Sequence, residues 1–299
     1  MEEKQSKFWD FYNKNYKKLL MIPMIVLIVS ILLIYNFYRI NGDIINKEVS
    51  LKGGITATVY YKDKIDVNGL NNFLIERFNN ADINTRVLSS LGTSEVTGFI
   101  IETSDIKPDE FKKALEERLN IKLDGKNYSI EEVGSSLGES FYKELITAVL
   151  IAFIFMAIVI FITFRTLAPS AAVVLSALID IVIPLAIINL LNIKVSSAGV
   201  VAFLLLIGYS VDTDILLTTR ALKRYNAPLF DRMYSSMKTG LTMTFCAIAV
   251  MVTGIILSTT PIIKEMFFII LLGLITDIFS TYFTNASILK IYCKRKNIA

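Results

Sequence analysis

Hydrophobic residues are concentrated in six long segments of this 299-residue chain. A helix that spans a membrane needs about 20 mostly apolar residues, and each segment is close to that length. We predict transmembrane helices over residues 19–38, 145–164, 169–190, 196–218, 239–257 and 266–289. Short connectors separate the last five segments. The pattern therefore predicts a helical membrane protein with six transmembrane helices.

The long polar stretch between the first two segments is predicted to be a soluble α+β domain of residues 40–140. Alternation and β-branched residues predict strands at residues 54–61, 83–88, 96–101 and 127–133, with a turn at residues 90–94. Apolar residues at helical spacing predict helices at residues 67–78 and 108–119. The order βαββαβ is typical of a ferredoxin-like domain. The predicted division is thus 1–39 (first helix), 40–140 (soluble domain) and 141–299 (helices two to six).

Charge predicts how the chain is oriented. The segment 39–139 carries 13 basic and 17 acidic residues, although the whole chain has a net charge of +4. Basic residues flank one side of the predicted membrane: Lys4, Lys7, Lys14, Lys17, Lys18, Arg165, Arg220, Lys223, Arg224, Arg232, Lys290, Lys294, Arg295 and Lys296. The positive-inside rule places that side in the cytoplasm. We predict a multi-pass protein of the cell membrane with both termini cytoplasmic and residues 40–140 outside.

Composition excludes several classes of chemistry. The chain has no histidine and only two cysteines, Cys246 and Cys293. Histidine-dependent nucleophiles and histidine-ligated metals are therefore excluded, and two thiols make neither a Cys₄ zinc site nor a disulfide framework. We predict no enzyme activity, no cofactor, no metal and no nucleic-acid partner.

Two aspartates in the fourth segment are the first candidates for chemistry, because ionisable groups inside a membrane are costly and usually functional. Asp212 and Asp214 are two residues apart, so they lie about 200° apart around a helix and face different ways. A carboxyl group in an apolar environment can exchange a proton near neutral pH. We favour Asp212 for a proton or ion relay and keep Asp214 as the second candidate. The alternatives are a structural hydrogen-bond role for Asp212 and a solvated, interfacial Asp214.

Three further ionisable residues lie in or beside the segments. Asp180 and Asp277 are each surrounded by apolar neighbours in the third and sixth segments. A transport role and a structural role as polar contacts between helices are equally open for both. Lys238, at the start of the fifth segment, either pairs with an aspartate of the fourth or extends to the lipid headgroups.

Four short motifs, in order, resemble one known family. They are Leu51-Lys-Gly-Gly54, Val133-Gly-Ser-Ser-Leu-Gly-Glu139, Phe164-Arg165 followed by Asp180, and Gly208-Tyr-Ser followed by the two aspartates. The chain resembles SecF, the smaller half of the SecD–SecF protein-export complex, in an archaeal-type form. The resemblance covers nearly the whole chain.

That resemblance implies a half-transporter of the RND superfamily. It implies six spans with a soluble insert and a SecD-like partner. It also implies work with the Sec translocon on exported polypeptide chains, driven by the proton or sodium gradient. The family's coupling aspartate falls on Asp212 or Asp214, although gapless register with bacterial-type members puts it on Thr213. The family's basic residue, usually arginine, falls on Lys238, and Asp277 stands where those members are small and polar.

Two other functions stay open. One is an RND-like exporter of small molecules that acts alone, and the other is a non-transporting scaffold subunit of the translocon. A lone six-span half argues against the exporter. Co-purification with a SecD-like chain would separate the export subunit from the exporter, and a response to collapse of the gradient would separate it from the scaffold.

Overall fold

The structure is a computed structural model of the chain, and it describes residues 2–61, 66–79, 83–89, 96–104, 106–223 and 228–296. Helices dominate these ranges. They are α1 (Glu2–Asn41), α2 (Val49–Lys52), α3 (Val67–Arg77), α4 (Pro108–Leu119), α5 (Ser135–Phe164), α6 (Leu167–Leu190), α7 (Ser197–Lys223), α8 (Leu229–Leu257), α9 (Pro261–Phe279) and α10 (Ala286–Arg295). A π-helical segment, Ser280–Asn285, joins α9 to α10. The predicted turn at residues 90–94 lies outside the described residues.

Five helices among the described residues are long and apolar enough to cross a membrane. They are α1 over Asn15–Asn41, α5, α6, α7 and α8 up to Leu257. The first five predicted segments are confirmed as helices, although α5 and α8 begin ten residues before the apolar segments do. The sixth segment is not one uninterrupted α-helix. It is divided among α9, the π-helical segment and α10, and α9 contains Lys264, Glu265 and Asp277.

The soluble part is a four-stranded antiparallel sheet with two helices. Its strands are β1 (Gly54–Tyr60), β2 (Ile83–Ser89), β3 (Val96–Thr103) and β4 (Tyr128–Val133), in the spatial order β2-β3-β1-β4. Each adjacent pair is antiparallel. All six predicted elements of this domain are confirmed within two residues.

One face of the sheet carries the core of the soluble domain. Alternate residues of β1 are buried, as expected for a strand with one covered face. Ala57 and Val59 of this face pack in one cluster with Leu74 of α3, Phe99 of β3 and Phe111 of α4. The helices therefore cover a single side of the sheet.

The linker between α1 and β1 is fixed to the membrane bundle. Val195, in the loop between α6 and α7, donates from its backbone N–H to Asn46 O (2.7 Å) and accepts from Glu48 N–H (2.9 Å). Ile45 and Leu51 of the linker are buried in the same cluster as Phe203 of α7. The linker thus connects the two parts of the molecule as a packed element.

Two of the sequence motifs meet where α5 begins. Gly53 has a φ of 86°, in the left-handed region that glycine tolerates best. A Cβ on Gly138 would lie 2.6 Å from Gly53 N and 3.0 Å from Lys52 C. The Gly-Gly motif and the glycine motif of residues 133–139 therefore pack backbone to backbone.

Candidate functional site

Three aspartates from three helices lie buried inside the helical bundle. Asp180 of α6 and Asp214 of α7 are 0% exposed, and Asp277 of α9 is 1% exposed. Helices α6, α7 and α9 pack against one another in the middle of the bundle, which brings these side chains into its interior. The sequence singled out all three residues but did not place them together.

Asp180 accepts two hydrogen bonds from serines of neighbouring elements. Ser210 of α7 donates to Oδ2, and Ser280 of the π-helical segment donates to Oδ1 at 2.5 Å. Pro184 lies one turn further along α6 and has no N–H to donate to the backbone carbonyl of Asp180. The side chain of Asp180 is therefore well satisfied beside a local irregularity of its helix.

Asp277 faces two threonine hydroxyls. Thr213 Oγ1 lies 3.0 Å and 3.1 Å from the two carboxyl oxygens of Asp277, and Thr281 Oγ1 donates to Oδ1 at 3.1 Å. Thr213 Oγ1 also lies 2.8 Å from Ser210 O. A hydroxyl has one proton. If the Thr213 hydroxyl donates its hydrogen bond to Ser210 O, it can only accept one from Asp277. The carboxyl group of Asp277 must then carry a proton.

Asp214 is only half satisfied. Asn285 Nδ2 donates to Oδ1 at 2.8 Å. Asp214 Oδ2 has no hydrogen-bond partner in the described part of the chain. The same holds for the side-chain oxygens of Ser176, Thr284 and Asn285. Unsatisfied buried polar atoms are rare in native proteins and often mark a site that binds water or an ion.

The π-helical segment supplies much of the polar lining. Its sequence, Ser-Thr-Tyr-Phe-Thr-Asn, has four polar side chains that are 0% exposed: Ser280, Thr281, Thr284 and Asn285. A π-helix has a wider turn than an α-helix, and such segments occur frequently at functional sites. The wider turn accompanies an inward-facing set of hydroxyl and amide groups next to Asp180, Asp214 and Asp277.

No basic residue neutralises this cluster within the described ranges. None of the salt bridges found there involves Asp180, Asp214 or Asp277. No group of three histidine, cysteine or acidic residues in those ranges is arranged to hold a metal ion. Burying three unpaired carboxylates is strongly unfavourable. Protonation of one or more of these carboxyl groups would lower that cost.

Asp212 and Lys238 lie elsewhere. Asp212 is exposed on α7, whereas Asp214 is buried, so the prediction that the two face different ways is confirmed. Lys238 is exposed and lies within α8, which begins at Leu229 after Pro228. The structure finds no salt bridge between Lys238 and an aspartate among the described residues. Their relay role stays a prediction.

Sequence reasoning missed the polar partners of the buried carboxyl groups. Ser210, Thr213, Ser280, Thr281 and Asn285 all contact an aspartate. A signal was present, because Ser210 and Thr213 are three residues apart, as are Asp277 and Ser280. Residues at that spacing share a helix face.

Comparison with known proteins decides the family. A family model described as "Protein export membrane protein SecD/SecF, C-terminal" matches residues 113–295. The "Protein-export membrane protein SecF" of Methanocaldococcus jannaschii is 37% identical over 285 residues, which is 93% of this chain and 96% of that protein. The chain belongs to the SecF family. The SecF proteins of Methanothermobacter thermautotrophicus (35% identical, 95% and 94% of the two chains) and Pyrococcus furiosus (32%, 94% and 92%) agree.

A solved SecDF structure has the fold of this SecF-family chain. The crystal structure of SecDF, a translocon-associated membrane protein from Thermus thermophilus, matches 94% of this chain with a TM-score of 0.71 at 16% identity. SecDF in a super-membrane-facing form gives a TM-score of 0.62 at 17% identity over 92% of this chain. This chain covers 38% of each SecDF chain. The resemblance drawn from the four sequence motifs is confirmed, and the protein is a multi-pass membrane protein.

Proposed function

We propose that this SecF-family chain is a membrane subunit of the protein-export machinery that works with a SecD-like partner. In this proposal, Asp180, Asp214 and Asp277 bind the protons or sodium ions that drive it. Archaeal relatives over 90% or more of the chain are protein-export membrane proteins, and SecDF is translocon-associated. The exported polypeptides are its substrates, and it is not an enzyme.

The observation that carries the proposal is the group of three buried carboxyl groups without a cation in the described part of the bundle. A purely structural role between helices would be served by a single carboxyl group with all of its hydrogen bonds made. Here three helices each contribute one, and Asp214 keeps an oxygen without a partner. Ionisable groups inside a membrane commonly form proton or ion pathways.

The exchange of two side chains between helices supports the same site. The resemblance carries the family's coupling aspartate onto Asp212 or Asp214, although gapless register with bacterial-type members puts it on Thr213 and a small polar residue at Asp277. Thr213 and Asp277 hydrogen-bond each other across α7 and α9 at 3.0 Å. In that gapless register, a carboxyl group and a hydroxyl group occupy the family's two positions with their helices exchanged, and this supports a site at the same place.

The rest of the architecture is part of the proposal. We propose that α9, the π-helical segment and α10 together form the sixth transmembrane helix, and that the order β2-β3-β1-β4 makes the soluble part a ferredoxin-like domain. The domain division at residues 39/40 and 140/141, the external position of the soluble part and the cytoplasmic termini follow the charge pattern.

The exposure of Asp212 and Lys238 supports the presence of a partner chain in this proposal. Both are exposed on helices that contain long apolar stretches. A charge that faces lipid inside the membrane is costly, whereas one that faces another protein can be paired or hydrated. A SecD-like chain packed against the exposed faces of α7 and α8 would cover both. They remain relay candidates at that interface.

The experiment is an export assay in cells that lack this chain and are complemented with it. We expect the chain to co-purify with a SecD-like chain and to accelerate secretion of a reporter. We expect a protonophore or sodium ionophore to abolish the acceleration. A chain that accelerates secretion equally after the gradient is collapsed would show the scaffold function instead.

The variant that tests the site is a triple one, Asp180→Asn with Asp214→Asn and Asp277→Asn. It keeps the shape of the bundle interior but cannot ionise. We expect it to co-purify with the partner and to give the secretion rate of the cells that lack the chain. Full acceleration by this variant would contradict the proposed relay.

A further inference from the structure

A second cluster of ionisable side chains lies where the soluble domain meets the bundle. It consists of Glu48 of the linker, Arg86 of β2, Glu102 of β3 and Glu265 near the start of α9. The three glutamates are 3%, 4% and 8% exposed. Buried charges of this kind are normally paired one to one. Here two acids from two elements contact one guanidinium group, and Glu265 lines the same cavity as that group.

Arg86 joins the soluble domain to the linker. Its Nη2 lies 2.8 Å from Glu48 Oε1 and 3.5 Å from Glu102 Oε2. Glu48 Oε1 nevertheless accepts no well-aligned hydrogen bond in the described part of the chain. The contact is therefore an ion pair that holds the domain by charge and not by a directed hydrogen bond.

The negative charge in this cluster exceeds what Arg86 can balance. Glu48 and Glu102 both contact Nη2 of Arg86, so two buried carboxyl groups face one positive charge. A proton on one of them removes the negative charge that Arg86 does not balance. Glu265 accepts from Ser196 N–H at 2.8 Å, and its Oε2 has no partner among the described residues. Glu265 therefore adds negative charge without supplying a donor.

We propose that Glu48 and Glu102 form a proton-binding site that couples docking of the soluble domain on the bundle to the pH on that side of the membrane. The docked arrangement brings Glu102 of the domain and Glu48 of the linker against the same guanidinium nitrogen, and a proton on Glu48 removes the repulsion between the two carboxylates. When the domain moves away, Glu48 becomes solvated and releases this proton. Docking and proton uptake are then linked.

The charges around Glu48 support this direction. The pKa of Glu48 is raised to about 8, and burial of the side chain is the largest cause; the neighbouring Glu102 also raises it, whereas Arg86 acts in the opposite direction. Glu265 adds a smaller raising effect. The docked pKa thus lies above the ordinary glutamate value of about 4.3. Docking is then strongest at acidic pH and weakens as the pH rises between these two values.

A cavity beside the cluster, lined by other charged and polar groups, provides a route for the proton. A cavity of about 640 Å³ opens beside the cluster, and its polar lining includes Asn46, Asn84, Arg86, Lys194, Lys264 and Glu265. Lys47 is paired with Asp43 at 2.9 Å and lies over the ring of Tyr142. A polar cavity of this size holds water, which carries protons between the solvent and the cluster.

The experiment measures a distance, so its result does not depend on whether the chain exports proteins. The full chain, with Cys246→Ser and Cys293→Ala, carries spin labels at Lys113→Cys on α4 and Leu191→Cys after α6 in lipid nanodiscs. Pulsed electron resonance gives the distance distribution between pH 5 and 9.5. We expect one narrow distance at pH 5 and a second, longer distance that grows as the pH rises through about 8.

Three variants decide the outcome. Glu48→Gln imitates the protonated group, so we expect one narrow distance at every pH. Glu102→Gln removes the neighbouring charge, so we expect the midpoint to fall by about one pH unit. Glu131→Gln, at an exposed carboxyl group of β4, is the matched control and should respond as the parent does. A pH-independent parent, or a Glu48→Gln protein that responds as the parent does, overturns the proposal. If Glu48→Gln does not fold, an unchanged midpoint in Glu102→Gln overturns it.

Discussion

The side-chain amide of Asn285 donates a hydrogen bond of 2.8 Å to Oδ1 of Asp214, while Oδ2 of the same carboxyl group has no partner in the described part of the chain. One side of this carboxyl group is therefore held in a fixed orientation, and the other is buried without a hydrogen-bond partner among the described residues. A proton or cation that binds at Oδ2 changes the charge without disturbing the bond to Asn285. This combination of one fixed oxygen and one oxygen without a partner suits the ion-binding role proposed for the cluster.

Asn285→Leu tests the fixed half of this arrangement. Leucine has a similar volume but no donor, so Asp214 Oδ1 loses its hydrogen bond in the protein interior. A lost hydrogen bond to a charged or ionisable group costs about 1.5–3 kcal/mol. We expect the free energy of unfolding to fall by that amount, which is measured as a lower unfolding temperature of the purified chain in detergent. Asn41→Leu, at an exposed asparagine that bonds to Phe37 O, should change it by less than about 0.5 kcal/mol.

Gly138→Ala tests the contact between the two glycine motifs. The added Cβ would lie 2.6 Å from Gly53 N and 3.0 Å from Lys52 C, and backbone atoms cannot move aside as a flexible side chain can. Overpacking of this kind costs about 1–3 kcal/mol. We expect a lower unfolding temperature and greater protease sensitivity near residues 49–53. Gly125→Ala, where a Cβ meets nothing within 4 Å, is the control and should behave as the parent.

The soluble domain should fold as a fragment of residues 54–133. Its core residues, including Leu70, Phe99 and Leu115, pack with one another and not with the bundle. The linker is omitted because Ile45 and Leu51 pack with bundle residues. At 80 residues the core is modest. We expect a dispersed backbone NMR spectrum and a cooperative thermal transition, whereas a collapsed spectrum would show that the bundle is needed for folding.

The soluble domain was predictable from the sequence because its signals are local. Alternation at residues 54–61 and Pro108 at a helix start need no knowledge of distant residues. All three candidate aspartates of the buried cluster were also found, because a carboxyl group in an apolar segment is unusual wherever it lies.

Partnership between distant residues was not predictable. Asp180 meets Ser280 across 100 positions of sequence, and only the packing of α6 against the π-helical segment brings them together. The sequence favoured Asp212 over Asp214, because its pattern shows that the two differ in direction but not which direction is the bundle interior. The cluster between the soluble domain and the bundle was missed for the same reason, since Glu48, Arg86 and Glu265 come from three separate regions of the chain.

Topology is tested by labelling in intact cells. In the Cys246→Ser, Cys293→Ala background, Lys126→Cys lies at an exposed position of the soluble domain. We expect an impermeant thiol reagent to label this position in intact cells and to label Ser6→Cys only after lysis. Labelling of Ser6→Cys alone in intact cells would reverse the proposed orientation.

Single neutral variants should separate the buried carboxyl group from the exposed one. Asp214→Asn keeps a side chain that can accept from Asn285 but removes the ionisable oxygen inside the cluster. We expect normal co-purification with the SecD-like chain and at least a tenfold loss of the gradient-dependent part of secretion, because the loss of about 1.4 kcal/mol of coupling free energy already changes an equilibrium tenfold.

Asp212→Asn and Lys238→Met act at the proposed partner interface, so we expect weaker co-purification along with slower secretion. Asp231→Asn, at an exposed residue in the first turn of α8, is the control and should secrete at the parent rate. An Asp214→Asn chain that is fully active, beside an Asp212→Asn chain that assembles normally but is inactive, would transfer the relay to Asp212. The relay would then lie at the partner interface and not inside this bundle.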